Sequence, residues 1–138
     1  MLCKSVSLSR TATAVVSLVV CMVVCGCGKG TPEEQAMKVA ADSYSSLMEG
    51  DYEDFLDGYA GMDSIPDSFR EQLLVSYKQF MHQQKEVHQG LAGITATRAL
   101  MDSSLNVMQV FLMVSYADST QEEIVVPMVE HNGEWKMK

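Results

Sequence analysis

The chain has 138 residues, of which 10 are basic and 18 acidic, so its formal net charge is −8. A balance this acidic excludes a dedicated nucleic-acid binder, because holding a phosphate backbone requires a basic surface. All four cysteines lie within the first 27 residues, so the rest of the chain contains neither a disulfide framework nor a cysteine-based zinc site. The residues after Cys27 suffice for one small domain, which burial of apolar side chains must stabilise.

Residues 1–26 have the composition of a signal peptide for export. Lys4 and Arg10 are their only charged residues, and an uncharged run follows over Thr11–Val24. This run is shorter than the roughly 20 apolar residues that a membrane-spanning helix needs, and small residues follow it. We therefore expect the segment to be removed.

The residues Val24-Cys25-Gly26-Cys27 resemble the bacterial lipobox, in which a small residue precedes the cysteine that becomes lipidated. The resemblance implies cleavage before Cys27 and a lipid anchor on Cys27, with residues 27–31 as a lipidated tether and residues 32–138 as a single domain. Lipidation of Cys25 is disfavoured because it would place the larger Val24 before the cleavage site. An ordinary secretory signal with an incidental cysteine is the other alternative.

Removing residues 1–26 takes away two basic side chains and no acidic ones. The remaining acidic domain is not attracted to anionic headgroups, so the anchor would hold it to the membrane. Gly28 follows Cys27 where an Asp would resemble an inner-membrane retention signal. We therefore expect a lipid-anchored protein of the cell envelope, sorted to the outer membrane.

Three helices are predicted ahead of the first strand. Thr31, Pro32 and Glu34 form the pattern of a capping box, which predicts a helix that runs to Glu49 and is stopped by Gly50. A short helix is expected over residues 51–57 and a loop over 59–65. Pro66 then opens the longest helical pattern, which continues to Gly90. Its apolar face is predicted from the spacing of Phe69, Leu73, Tyr77, Phe80 and Met81.

From Gly93 onward, period-two alternation replaces the helical spacing and predicts strands over residues 94–101, 105–116, 122–130 and 134–138. Asn132-Gly133 is the strongest hairpin signal in the chain. Pro127 cannot donate to a strand ladder, so we expect a bulge there. Helices followed by hairpin-linked strands predict an α+β fold, with the helices packed on one face of a curved antiparallel sheet of about four strands.

Several phrases of the sequence resemble small bacterial lipoproteins of the nuclear transport factor 2-like (NTF2-like, cystatin-like α+β) superfamily, of the type common in Bacteroidetes. These phrases are Gly50-Asp51-Tyr52, Tyr116-Ala117-Asp118 and the terminal Asn132-Gly133-Glu134-Trp135-Lys136. Ser119 stands where such relatives carry Gly. The resemblance covers nearly all of the domain, and its motifs are structural.

The resemblance implies a cone-shaped pocket between helices and sheet. The side chains selected as possible pocket lining are Tyr44, Tyr59, Tyr77, Phe111 and Met113. Tyr116 and Asp63 could supply a further hydroxyl and a carboxylate. The alternative for the tyrosines is ordinary packing with each hydroxyl at the boundary of the core.

No other pattern carries chemistry. His82 and Glu86 have the spacing of paired metal ligands but lie among polar residues, which is typical of a solvated face. The acidic segment 49–57 lacks the Gly and the oxygen ligand that an EF-hand loop requires, and the methionines of the strands are best explained as core filling. We therefore predict no metal, no cofactor and no catalytic residue.

Three hypotheses remain. The first is a noncatalytic, lipid-anchored module that binds a small apolar ligand or a protein partner. The second is a small pocket enzyme, an isomerase or hydratase that uses Asp63 or a tyrosine as its base. The third is a structural role as a homodimer through the sheet face of Val107, Phe111 and Met113, which would require an exposed apolar patch.

Overall fold

The structure, a computed structural model, describes residues 30–138. The predicted signal peptide, Cys27 and the first part of the tether lie outside the described residues. The three α-helices are α1 (Pro32–Glu49), α2 (Tyr52–Asp57) and α3 (Asp67–His88), with a 3₁₀ turn at Met62–Ser64 between the last two. The strands are β1 (Leu91–Asp102), β2 (Val107–Tyr116), β3 (Gln121–His131) and β4 (Glu134–Met137).

The predicted capping box at the start of α1 is confirmed. The Thr31 hydroxyl accepts from the backbone N–H of Glu34 at 3.2 Å, and the Glu34 carboxylate accepts from the backbone N–H of Thr31 at 3.0 Å. A cap of this kind stabilises a helix by about 1 kcal/mol because it satisfies donors that have no partner within the helix. Gly50, at φ 86°, ends the helix in the left-handed conformation that a residue without Cβ adopts easily.

The four strands form one antiparallel sheet in the order β1-β2-β3-β4, so each strand pairs with its neighbour in sequence. Asn132 and Gly133, at φ 52° and 79°, form the predicted tight turn between β3 and β4. The outer edge of β4 is also paired, because Met137 donates to the Gly58 carbonyl and its own carbonyl accepts from Ala60. The predicted α+β architecture is confirmed.

The prediction of a bulge at Pro127 is wrong. Pro127 pairs with Gln109 in an uninterrupted register, and the irregularities lie in β1 instead, between Leu91 and Gly93 and between Ala96 and Arg98. The N–H and C=O of one strand residue point to the same side, and the Pro127 carbonyl accepts from Lys138. The side of Pro127 that lacks an N–H donor therefore faces the end of β4. No hydrogen bond between β3 and β2 is lost.

The core lies between α1, α2 and one face of the sheet. Alternate residues of β2 (Met108, Val110, Leu112, Val114 and Tyr116) are buried, whereas the odd-numbered residues from Gln109 to Ser115 are only half-buried. Met108, Met128 and Met137 are buried in this layer, as predicted for methionine used as core filling. For Met101, which is 51% exposed, and Met113, which is half-buried on the other face, that prediction is wrong. Among the described residues, the members of the core cluster run from Ala36 to Met137.

Helix α3 differs from the sequence prediction, because none of its residues is buried. Two members of its predicted apolar face, Phe69 and Phe80, are 46% and 43% exposed. Tyr77 packs against Phe55 of α2, but the helix leans over an open cleft instead of lying flat on the sheet. None of the helices within residues 30–138 combines the length and the hydropathy needed to cross a bilayer.

Candidate functional site

A cleft of about 630 Å³ opens between α3 and the sheet. Its aromatic lining consists of Tyr44, Phe55, Tyr59, Tyr77, Phe80 and Tyr116. Its aliphatic lining consists of Leu47, Leu91, Val114, Ile124 and Val125, and its polar lining of Ser76, Gln84 and Glu122. A concave, mostly apolar surface of this volume with a few converging polar groups is the usual form of a small-molecule site.

Phe55 forms the floor of the cleft and brings three tyrosines together. Tyr44 of α1, Tyr59 after α2 and Tyr77 of α3 each meet the Phe55 ring edge-on, with ring centroids 5.2, 5.6 and 5.0 Å away. Edge-to-face contact is the favoured geometry between aromatic rings. Phe55 itself is buried, so this cluster positions the tyrosines and does not depend on any ligand.

The tyrosine hydroxyls of the cluster are held in their neutral form. Burial raises the pKa of Tyr59 to about 12, and repulsion from the neighbouring Tyr44 and hydrogen bonding to it add to the effect. Burial also raises the pKa of Tyr44 and of Tyr77 above 10. At neutral pH these groups can therefore donate and accept hydrogen bonds but carry no charge.

The opposite end of the cleft carries its one carboxylate. Tyr116, the last residue of β2, donates from its hydroxyl to the Glu122 carboxylate at 2.8 Å. Burial, followed by the Glu122 contact, raises the pKa of Tyr116 to about 12, so this hydroxyl also stays protonated. Glu122 pairs in register with Val114, which places it on the covered face of the sheet at the hairpin end.

A polar cluster next to Tyr116 fixes the end of α3. The His88 ring stacks on the Tyr116 ring with centroids 4.4 Å apart, and its Nδ1 lies 3.0 Å from the Asp118 carboxylate. Thr120 donates to the same carboxylate from its hydroxyl and its backbone N–H, at 2.5 and 3.0 Å. These hydrogen bonds lower the pKa of Asp118 to about 2. The Thr120 hydroxyl has the largest effect, followed by the Thr120 backbone N–H and then by His88.

The structure brings together three of the five side chains that the sequence suggested as pocket lining. Tyr44, Tyr59 and Tyr77 line the cleft. Phe111 and Met113 do not, because strand alternation places them on the other face of the sheet from Leu112 and Val114. The assignment of these two residues to the pocket is therefore corrected.

The uncovered sheet face combines charged and apolar side chains. The Arg98 guanidinium lies 3.9 Å from the centre of the Phe111 ring and 3.7 Å from the Glu123 carboxylate. Val107, the third residue predicted for a dimer interface, is buried. Leu100 and Val125, which pair with Gln109 and Phe111 of the same face, are 52% and 49% exposed. The homodimer hypothesis therefore stays a prediction.

Asp63 does not line the cleft but a polar hollow of about 330 Å³ that also contains His131 and Lys136. The hollow adjoins the cleft at Tyr59, which lines both. Arg70, at its side, donates to Glu53 and Asp57, with both contacts from Nη2 at 2.6 Å. Asp63 is exposed, and the described part of the chain contains no buried carboxyl group. Asp63 is therefore not the buried, cleft-facing carboxylate that the enzyme hypothesis requires.

His82 and Glu86 form an exposed pair on α3, with Nε2 and Oε1 3.3 Å apart. Within residues 30–138 no three His, Cys, Asp or Glu side chains converge as a metal site would require. Pairs of this kind at i and i+4 are typical of a solvated helix face.

Sequence reasoning missed Glu122, Phe80 and Gln84 as lining residues of the cleft. Glu122 and Ile124 are two residues apart at the start of β3, so the alternation alone places them on one face. Phe80 and Gln84 are four residues apart on α3, the spacing of one helix face. Both spacings were present in the sequence, but Glu122, Phe80 and Gln84 were not among the residues selected as pocket lining.

Comparison with known proteins supports the fold. No protein-family model and no curated protein matches the sequence. A crystal structure from Campylobacter jejuni, of a protein named as an NTF2-like transpeptidase, matches with a TM-score of 0.56 at 11% identity, covering 72% of this chain and 94% of that one. Three helices packed on a four-stranded antiparallel sheet, together with this likeness, show that the chain has the NTF2-like fold.

Proposed function

We propose that this protein is a noncatalytic binding module whose cleft takes a small, largely apolar ligand. The observation that carries the proposal is the aromatic cleft, with six ring-bearing side chains around about 630 Å³. A cleft whose walls are already formed loses little side-chain entropy when a ligand binds. Binding is favoured over an isomerase or hydratase for two reasons. No carboxyl group within residues 30–138 is buried, and the raised pKa values of Tyr44, Tyr59, Tyr77 and Tyr116 keep these hydroxyls protonated at neutral pH, where they cannot act as bases.

Binding of a neutral dye tests the cleft. N-phenyl-1-naphthylamine, a neutral apolar fluorophore, should brighten and shift to the blue when added to the domain, residues 30–138. Gln84 lines the cleft, whereas the neighbouring Gln83 does not. Gln84→Trp should weaken dye binding at least about fivefold by filling the cleft from its rim, and the matched Gln83→Trp should leave it unchanged. Equal binding by both variants would contradict the proposal.

We further propose that the domain is held at the cell envelope through a lipid on Cys27, as in the small Bacteroidetes-type lipoproteins that the sequence resembles. The lipobox-like Val24-Cys25-Gly26-Cys27 supports this proposal, together with the uncharged run that precedes it. The two acyl chains of a diacylglyceryl group would suffice for stable anchoring, with the outer membrane as destination.

Metabolic labelling tests the anchor. The full chain, expressed in a bacterium supplied with labelled palmitate, should incorporate label and fractionate with the outer membrane. Cys27→Ser should abolish labelling, whereas Cys25→Ser should retain it. Label on the Cys27→Ser protein would show that the anchor lies elsewhere, and an unlabelled wild-type chain would indicate an ordinary secretory signal.

A further inference from the structure

We infer that the cleft selects an organic cation, a ligand with an apolar or aromatic body and a positively charged head placed beside Glu122. This inference rests on the proposed function, because it names the chemical class of ligand that the same cleft would take. It stands on the charge inventory of the lining, on the position of its carboxylate and on the chemistry of its rings.

The charge inventory of the cleft is one-sided. Glu122 is its only charged side chain, and none of the residues that line it is a lysine, arginine or histidine. Glu122 is exposed, so solvent screens its charge in part. An anionic ligand would still place its charge next to this carboxylate without a compensating cation. The net charge of −8 for the whole chain acts in the same direction.

Glu122 is positioned to meet the head of a ligand. It lies at the hairpin end of the cleft, where the Tyr116 hydroxyl donates to one of its oxygens at 2.8 Å. A carboxylate has room for several donors, so the second oxygen can accept from a ligand or attract its charge. A wholly apolar ligand gains nothing from this carboxylate, whereas a cationic head is attracted to it.

The aromatic walls suit a cation as well as an apolar body. Tyr116 contacts the carboxylate directly, and Tyr44, Tyr59, Tyr77 and Phe80 line the rest of the cleft, where the body of the ligand would lie. The negative face of an aromatic ring attracts a cation within about 6 Å of its centre, and recognition of quaternary ammonium groups by aromatic cages uses this attraction. Because the four tyrosine hydroxyls stay protonated, the rings act through their faces.

Competition between two ligands of the same shape tests the inference. Phenyltrimethylammonium and tert-butylbenzene differ in one atom, a cationic nitrogen in place of a neutral carbon. Each would be titrated at neutral pH against the domain loaded with N-phenyl-1-naphthylamine. The cation should displace the dye at a concentration at least about tenfold lower than the hydrocarbon does.

A matched pair of substitutions assigns the effect to one carboxylate. Glu122→Gln keeps the size of the side chain and an acceptor for Tyr116, and should remove the preference for the cation. Glu123 faces the other side of the sheet, beside Arg98. Glu123→Gln removes the same charge from the chain and should leave the preference intact.

The outcomes separate the inference from the proposed function. Equal displacement by the two compounds, or an equal loss of preference in both variants, overturns the inference while dye binding upholds the apolar cleft. Failure of the dye and of both compounds to bind the wild-type domain overturns the proposed function and the inference with it. A tenfold preference that Glu122→Gln alone removes supports both.

Discussion

Tyr116 at the end of β2 and Glu122 at the start of β3 are joined by a 2.8 Å hydrogen bond from the tyrosine hydroxyl to the carboxylate. The contact spans the turn between the two strands and places a carboxylate beside an aromatic ring at one end of the cleft. The same Tyr116 ring stacks on His88, the last residue of α3. The helix that overhangs the cleft and the strands beneath it therefore meet at Tyr116.

Alkaline titration should show that the tyrosines of the cleft resist ionisation. The pKa of Tyr59 and of Tyr116 is raised to about 12, and the pKa of Tyr44 and of Tyr77 lies above 10. In absorbance at 295 nm, the native chain should ionise later than the chain in denaturant. Coincident titration curves would contradict the buried tyrosine cluster.

The same shifts predict how stability depends on pH. Below pH 10 the hydroxyls are protonated in both states, so their contribution to the free energy of unfolding is complete. Between pH 10 and 12 the unfolded chain loses protons that the folded chain keeps, so stability should fall. Urea unfolding of Tyr59→Phe should show a smaller fall than the wild type. A wild type of constant stability up to pH 12 would refute this.

Acid should weaken the cluster at the end of α3. The Thr120 donors and His88 lower the pKa of Asp118 to about 2, so its contribution to stability is present above about pH 4 and is lost as pH falls toward 2. Asp118→Asn should be less stable than the wild type at pH 7, and the difference should shrink in acid. Asp63→Asn, at an exposed site, is the control and should differ little at either pH.

Gly58 should not tolerate a side chain, although its backbone is helical. A Cβ at this position would lie 2.9 Å from the Ser43 hydroxyl, 3.0 Å from the Met137 methyl and 3.1 Å from the Phe55 carbonyl. Gly58→Ala should lower the free energy of unfolding in urea by about 1–2 kcal/mol, because Ser43 of α1 and Met137 of β4 must move away from the added methyl group. At Gly93 the nearest atom would be 4.0 Å away, so Gly93→Ala should be neutral or slightly stabilising. Equal effects would show that the packing at Gly58 is looser.

Replacing Ser119 with glycine should stabilise the fold. It lies in the β2–β3 turn at φ 71°, a left-handed conformation that a Cβ disfavours. Ser119→Gly should raise the free energy of unfolding by about 0.5–1 kcal/mol, since relief of this strain exceeds the added entropy of the unfolded chain. Ser103, in the β1–β2 turn, does not have a positive φ, so Ser103→Gly should be neutral or destabilising. Loss of stability in Ser119→Gly would contradict this account.

The sequence predicted those parts of the fold that local interactions determine. The capping box at Thr31 and Glu34, the stop at Gly50 and the turn at Asn132-Gly133 each depend on residues within a few positions of one another. The alternation along β2 likewise divides its side chains into two sets, because successive strand residues point to opposite faces. Strand ends differ from the prediction by a few residues, since β1 begins at Leu91 and not at Ile94.

The site could be predicted only in part, because its residues come from every layer of the fold. Tyr44, Tyr59 and Tyr77 were recognisable one by one, but their convergence on Phe55 depends on how three segments pack. Alternation cannot say which face of β2 the helices cover, and for that reason Phe111 and Met113 were misplaced. Glu122 was overlooked because the sequence does not show which face of the sheet borders the cleft, and the Glu122 side chain lies on that face.

The sequence by itself determined the order of the elements, the helix caps, the hairpin and the α+β class, since these follow from short-range sterics, hydrogen bonding and the periods of 3.6 and 2. The tertiary structure alone decided that α3 stands away from the sheet and that an aromatic cleft with one carboxylate lies between them. It also decided that the side of Pro127 without an N–H donor faces the end of β4. These features depend on contacts between residues far apart in the chain, whose packing no local pattern specifies.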